Sequence, residues 1–144
     1  MILLDTGPIV AAAFTTERFH RECAELFTGL RLANREMLIP ATVTAEAGYL
    51  INRLGGPRDE ANFLRGVGEG DLVPVNLTDV DYLRMAELVE QYADLPLGAT
   101  DASVIALAER LGVTEVATID RRHFTVVRPR HVVALTLLPE RLAD

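Results

Sequence analysis

The sequence predicts an α/β protein: a parallel sheet covered by helices on both faces. Three observations carry this reading. Short apolar runs such as Ile2 to Leu4 and Met37 to Ile39 end at turn or capping residues, which marks buried strands. Longer stretches with apolar residues at helical spacing lie between them. The two kinds of segment alternate, which is the pattern of βαβ units and not of a bundle or a sandwich. At 144 residues the chain suits one domain with its own core, so residues 1–144 are read as one domain.

The chain opens with Ile2, Leu3 and Leu4, an apolar strand that ends at Asp5. Gly7-Pro8 then starts a helix, because Pro at the first helical position gives up no needed hydrogen bond. Phe19, Cys23, Leu26, Phe27 and Leu30 recur at helical spacing, so a second helix runs from about Glu17 to Leu32. Met37-Leu38-Ile39, closed by Pro40, is the second strand. A helix opening at Ala41 or Thr42 follows it to Leu54, where Gly55-Gly56-Pro57 stops it. Arg58 to Val67 is helical, and Leu72-Val73-Pro74-Val75 is a strand whose internal Pro suits a sheet edge. Thr78 caps a helix reaching Ala93, with Asp79 and Asp81 in the first turn, where the helix dipole favours acids. After the connector Leu95 to Gly98, a helix from about Thr100 to Leu111 closes at Gly112. Glu115 to Ile119 is the next strand and ends in Asp120, with a weaker strand near Val126-Val127. The apolar tail Val132 to Leu138 fits either a last strand or a segment packed across the core.

Composition narrows the function classes. The chain carries 21 acids and 14 bases, a net charge of −7, and every base is Arg. That balance argues against coating nucleic acid by bulk electrostatics. No apolar run reaches the roughly 18 residues of a membrane span, and Asp5 interrupts the N-terminal run before it is long enough for a signal peptide. A single cysteine, Cys23, excludes an internal disulfide and a Cys-rich zinc site, and a reducing cytoplasm is the simplest compartment.

In an open parallel sheet, ligands bind beyond the carboxyl ends of the strands. Asp5 and Asp120 both sit at such ends, each with a hydroxyl nearby, Thr6 and Thr118. Taken singly, each aspartate is also explained as a helix cap. Glu46 falls at the edge of the stripe Val43, Ala47, Leu50, Ile51 and Leu54, and Asp101 near the centre of the face formed with Val104, Ile105, Ala108 and Leu111. A desolvated carboxylate needs a cation, a donor network or a cavity. Arg53 or Arg110 would serve as a plain ion-pair partner, and Asp101 in a first turn also suits the helix dipole. Capping alone does not neutralise four acids from four segments. Clustered carboxylates repel unless a hard divalent cation lies among them, and Mg²⁺ or Mn²⁺ is the natural occupant. Such an ion polarises a phosphoryl oxygen and activates water, so metal-assisted phosphodiester hydrolysis is the expected chemistry. With only His20, His123 and His131 in the chain, a His-rich zinc site is not expected.

Four segments carry a family resemblance: Ile2 to Val10 with Asp5-Thr6-Gly7-Pro8, Thr44-Ala45-Glu46, Asp101 to Ala108, and Ala117 to Phe124 with Thr118-Ile119-Asp120. They resemble the four acidic motifs of PIN domains, and their order and spacing are closest to VapC-type toxins of bacterial toxin–antitoxin pairs. Each motif alone is weak, but the ordered set is fairly specific and covers nearly the whole chain. The resemblance implies a PIN-like three-layer fold with a central parallel sheet of four to five strands. It implies a Mg²⁺- or Mn²⁺-dependent endoribonuclease, the toxin of a type II system, homodimeric and inhibited by a small cognate antitoxin. Asp5, Glu46, Asp101 and Asp120 match the family's metal-binding acids, Glu46 directly or through water, and Thr6 and Thr118 match supporting hydroxyls. Two positions depart from it: His123 stands where many relatives carry a further acid, and Gly98 where some carry Asp. At His123 the alternatives are a phosphate contact, help to the leaving group, or surface decoration.

Arg121, Arg122, Arg128 and Arg130 fall within a stretch of eleven residues without an acid, directly after Asp120. Arg121 and Arg122 are therefore candidate RNA contacts, with a solvated surface loop as the alternative. Low aromatic content, 6%, argues against extensive base stacking. Phe14, Phe19, Phe27 and Phe63 read as core or as a dimer face. Leu3 to Gly7 also resembles the Asp-Thr-Gly motif of aspartic proteases, but those are all-β and leave Glu46 and Asp101 unexplained. A receiver-like phosphoacceptor domain needs a late Lys, and the chain has none. The non-enzyme alternative is a catalytically weak PIN-like module that acts by binding protein.

Overall fold

The computed structural model describes residues 1–143. In chain order its elements are β1 (Ile2–Leu4), α1 (Thr6–Ala13), α2 (His20–Leu32), β2 (Met37–Pro40), α3 (Ala41–Gly55), α4 (Pro57–Gly68), β3 (Val73–Val75), α5 (Asp79–Gln91), α6 (Ala99–Leu111), β4 (Glu115–Ala117), α7 (Arg121–Val126) and β5 (Thr136–Leu138). The five strands form one sheet in the order β3-β2-β1-β4-β5, and every pairing is parallel. Parallel neighbours require crossovers, and the helices supply them.

Sequence dictates which strands lie inside. Ile2, Leu3 and Leu4 are wholly buried, as expected for a central strand covered on both faces, and Leu3 is in register with Leu38 on one side and Val116 on the other. Pro74 donates no ladder hydrogen bond, and β3 is accordingly the exposed edge. Gly112 closes α6 in the left-handed region, at φ 68°, where glycine meets no Cβ penalty.

Near the C-terminus one reading changes and one open alternative is decided. Val126-Val127 is not a strand: Val126 ends α7, and Val127 anchors the helix end in the core, 1% exposed. The tail instead supplies the last strand, β5, with Val116 opposite Leu137.

The strand order defines the position of the site. From β1 the chain builds outward through β2 to β3, then returns to the other side of β1 with β4. The direction reverses between β1 and β4, and such a switch opens a crevice at the carboxyl ends of the two strands. Asp5 and Asp120 follow those strands. This parallel α/β setting, with a helix starting at Thr6, removes the aspartic-protease alternative.

Candidate active site

Asp5 extends the sheet by one bond, its backbone N–H donating to Ala117 O at 2.9 Å, which brings it beside the residue after β4. That residue, Thr118, is fully buried, and its hydroxyl donates to Asp5 Oδ2 at 2.8 Å while accepting the Asp120 backbone N–H at 3.0 Å. One hydroxyl thus fixes both strand-end aspartates. Capping does not explain Asp5: it occupies the N-cap position of α1 without a side-chain capping bond. Asp120 does cap α7, accepting the His123 N–H at 3.3 Å.

Asp101 enters from the first turn of α6 and is half-buried, 19% exposed at the side chain. Ser103, two residues on, holds this helix end against α3 through a 2.6 Å bond with Thr42 and closes on the Thr100 carbonyl. His123 Nδ1 lies 3.5 Å from Asp101 Oδ2 and in direct contact with Asp120 Oδ2. Ligand atoms of Asp101, Asp120 and His123 all fall within 4.8 Å of one another. His123 is therefore not surface decoration. Glu46 is exposed on α3 and lies outside this tight group, although its charge is felt at Asp101. Val43, Ala47 and Ile51 turn the buried face of α3 inward and leave Glu46 at the rim.

The electrostatics show an unbalanced negative centre. Burial pushes the Asp5 carboxyl up to about 6 against the opposing bonds from Thr118 and the Thr6 backbone, and the charges of Asp101 and Asp120 push the same way. Burial raises Asp101 as well, with Asp120 and Glu46 adding to it and His123 opposing. Burial alone would lower His123, but its hydrogen bond to Asp120 and the two aspartate charges outweigh it and raise it. A divalent cation fits this donor set, which is mainly carboxylate oxygen. The Thr6 hydroxyl points to the same conclusion, being a buried oxygen beside Asp5 with no protein partner.

Arg110 and Arg53 do not neutralise these acids. Arg110 pairs with Asp81 at 2.9 Å, and Arg53 lies over the Tyr49 ring, 5.9 Å from its centroid. The basic stretch is dispersed. Arg121 turns its guanidinium to the Pro139 carbonyl, so part of its donor set is engaged within the fold. Arg128 donates to the Thr125 carbonyl, and Arg130 to Glu87. Arg122 is exposed, and its guanidinium makes no hydrogen bond or ion pair among the described residues, its carbonyl alone accepting from the Thr125 hydroxyl at 3.2 Å. Phe14, Phe27 and Phe63 line a groove of about 440 Å³ with Ile9, Ile51 and Leu72, between α1, α2, α3 and α4.

Gly7 keeps the crevice closed. A Cβ there would lie 2.5 Å from Ile119 Cγ1, so Ile119, the residue before Asp120, can pack only against a glycine. Gly7→Ala is expected to fold but to displace Asp120 and weaken divalent-metal binding about tenfold, measured by calorimetry.

A family profile described as PIN domain matches residues 2–128, which include every residue of this site. Ribonuclease VapC26 of Mycobacterium tuberculosis is 28% identical over 138 residues, 96% of this chain and 100% of its own. The crystal structure of VapC20 from the same species, a sarcin-ricin loop cleaving toxin, superposes with TM-score 0.74 at 17% identity, over 85% of this chain and 92% of its own. VapBC2 from Rickettsia felis, bound to a DNA fragment from their promoter, superposes with TM-score 0.69 at 19% identity, over 95% and 97%.

Proposed function

Because the chain belongs to the PIN-domain family, we propose that it is a Mg²⁺- or Mn²⁺-dependent endoribonuclease and the toxin component of a type II toxin–antitoxin pair, working as a single domain over residues 1–144. One observation carries the reading: Asp101 and Asp120 lie together with His123 beyond β4, and Asp5, linked to Asp120 through the Thr118 hydroxyl, feels the charge of both aspartates. Asp5, Asp101 and Asp120 would hold the ion, and Glu46, at the rim, would act through water. When bound there, a divalent ion would supply charge to polarise a phosphoryl oxygen of RNA and to activate water. Thr118 keeps Asp5 and Asp120 aimed at a common point, and the Thr6 hydroxyl orients water beside Asp5. Arg122 is free to meet a phosphate at the crevice mouth.

The protein partner is a cognate antitoxin. Its support is the likeness to VapC proteins, and the apolar groove between α1 and α4 offers it a surface. A homodimer follows from the family resemblance; Val80 and Leu83 on α5, 70% and 68% exposed, suit such a contact. The cytoplasm is the expected compartment, and none of the described helices is long and apolar enough to cross a membrane.

The test is cleavage of a defined RNA with Mg²⁺ or Mn²⁺, against chelator and against Asp101→Asn. Loss of cleavage in both is the expected result. Cleavage that survives both overturns the site. An unsubstituted protein that binds antitoxin yet cuts no RNA at any metal concentration supports the weak binding module instead.

A further inference from the structure

His123 stands three residues after Asp120, on the first turn of α7, and the rest of the site is oxygen. Its own N–H is anchored to Asp120 Oδ1 at 3.3 Å, which sets the ring direction from the backbone. Nδ1 consequently faces both carboxylates, in contact with Asp120 and 3.5 Å from Asp101. The Leu95 backbone lies near enough to the ring to favour its protonated form. A ring nitrogen aimed at carboxylates, with a backbone group beside the imidazole, is the arrangement of a histidine that ligates a metal. His20 and His131 are otherwise engaged, with the Ala11 and Val113 carbonyls.

We propose that His123 is a metal ligand through Nδ1, and that the Asp101–Asp120–His123 set makes this site prefer Mn²⁺ to Mg²⁺. The inference rests on the metal-dependent reading above. Mg²⁺ is a hard ion that favours oxygen and sheds its waters reluctantly, whereas Mn²⁺ accepts imidazole more readily and sits higher in affinity for mixed nitrogen and oxygen sets. A neutral imidazole in place of a further carboxylate also removes one negative charge from a centre that already repels itself.

Pulsed EPR of the Mn²⁺-loaded full chain decides ligation directly, and calorimetric titration with Mn²⁺ and Mg²⁺ decides selectivity. Nitrogen hyperfine coupling is expected in the unsubstituted protein and is lost in His123→Asn. The ratio of Mn²⁺ to Mg²⁺ affinity is expected to fall about tenfold in His123→Asp. Tight Mn²⁺ binding without nitrogen coupling, or coupling that persists in His123→Asn, overturns the role of His123 and leaves the nuclease reading intact. An unchanged affinity ratio in His123→Asp overturns the selectivity. Failure of the unsubstituted chain to bind either ion overturns both readings, and the coupling measurement needs no variant to fold.

Discussion

Asp5→Asn is expected to lower RNA cleavage about a thousandfold and, in chelator, to raise the unfolding midpoint by several degrees. The first effect follows from removing a carboxylate from the proposed metal centre, where several kcal/mol of transition-state stabilisation would be at stake, each 1.36 kcal/mol being tenfold in rate. The second follows from burial. Asp5 is 6% exposed, and its carboxyl is pushed from 3.8 to about 6, so its ionised form opposes folding by about 3 kcal/mol at neutral pH. Asparagine removes that charge and still offers the Thr118 hydroxyl an amide oxygen. Adding Mg²⁺ or Mn²⁺ should reverse the order, because ligand binding stabilises only the form that holds the ion. Thermal melts with and without metal check both halves. An Asp5→Asn protein that melts below the unsubstituted chain in chelator would overturn the account of a strained carboxylate.

The opposite behaviour is expected at Asp81, a second buried aspartate, 2% exposed. Its Oδ2 accepts the Thr78 N–H at 2.9 Å while its own N–H donates to the Thr78 hydroxyl at 3.2 Å, a capping box on α5. Arg110 Nε, on the last turn of α6, donates to both carboxylate oxygens at 2.9 and 3.0 Å. Burial alone would raise this carboxyl, but the Arg110 and Thr78 hydrogen bonds outweigh it and hold it below the ordinary range. Asp81→Ala removes the carboxylate half of the capping box and leaves Arg110 without its ion-pair partner, at a cost of about 3 kcal/mol, a large share of a typical domain's stability. A carboxyl held low in the folded state contributes stability that is complete above its unfolded pKa and is lost as the pH falls through its folded value. The gap in urea midpoint between the unsubstituted protein and Asp81→Asn should therefore be constant above about pH 4 and close below it.

The contrast between these two aspartates shows what the sequence makes legible. Alternating apolar runs gave the strands β1, β2 and β4 and the helices between them, because burial on both faces imposes a continuous run. Pro74 marked the edge strand through its missing donor. The strand at Thr136–Leu138 was undecided, since three half-exposed residues carry no period and owe their state to the vacant edge of β4. Val126-Val127 looked extended for the same lack of context. Asp5, Asp101 and Asp120 were placed by strand ends and helix faces, and the structure brings them together. Helical periodicity places Glu46 at the edge of the apolar stripe, and the fold leaves it exposed because α3 buries only the narrower face of Val43, Ala47 and Ile51. The basic stretch is the least legible: charge patterning cannot tell that Arg121 and Arg130 donate to Pro139 and Glu87, which lie far away in the sequence. His123 carries no local signal of its engagement with Asp101. Thr42 and Ser103, which lock α3 to α6, were likewise invisible as a pair across 61 positions.

The bond from Thr118 to Asp5 spans 113 residues. While the chain is being translated, its first three strands, helices α1 to α6 and three of the four candidate site acids leave the ribosome before β4 is available to pair with β1. A long-range contact of this kind forms late. A nascent or prematurely terminated chain that stops before Thr118 lacks both the residue that fastens Asp5 and the Asp120 carboxylate beside it. An enzyme aimed at RNA is thus born without its cutting edge, and acquires it only when most of its own message has been read.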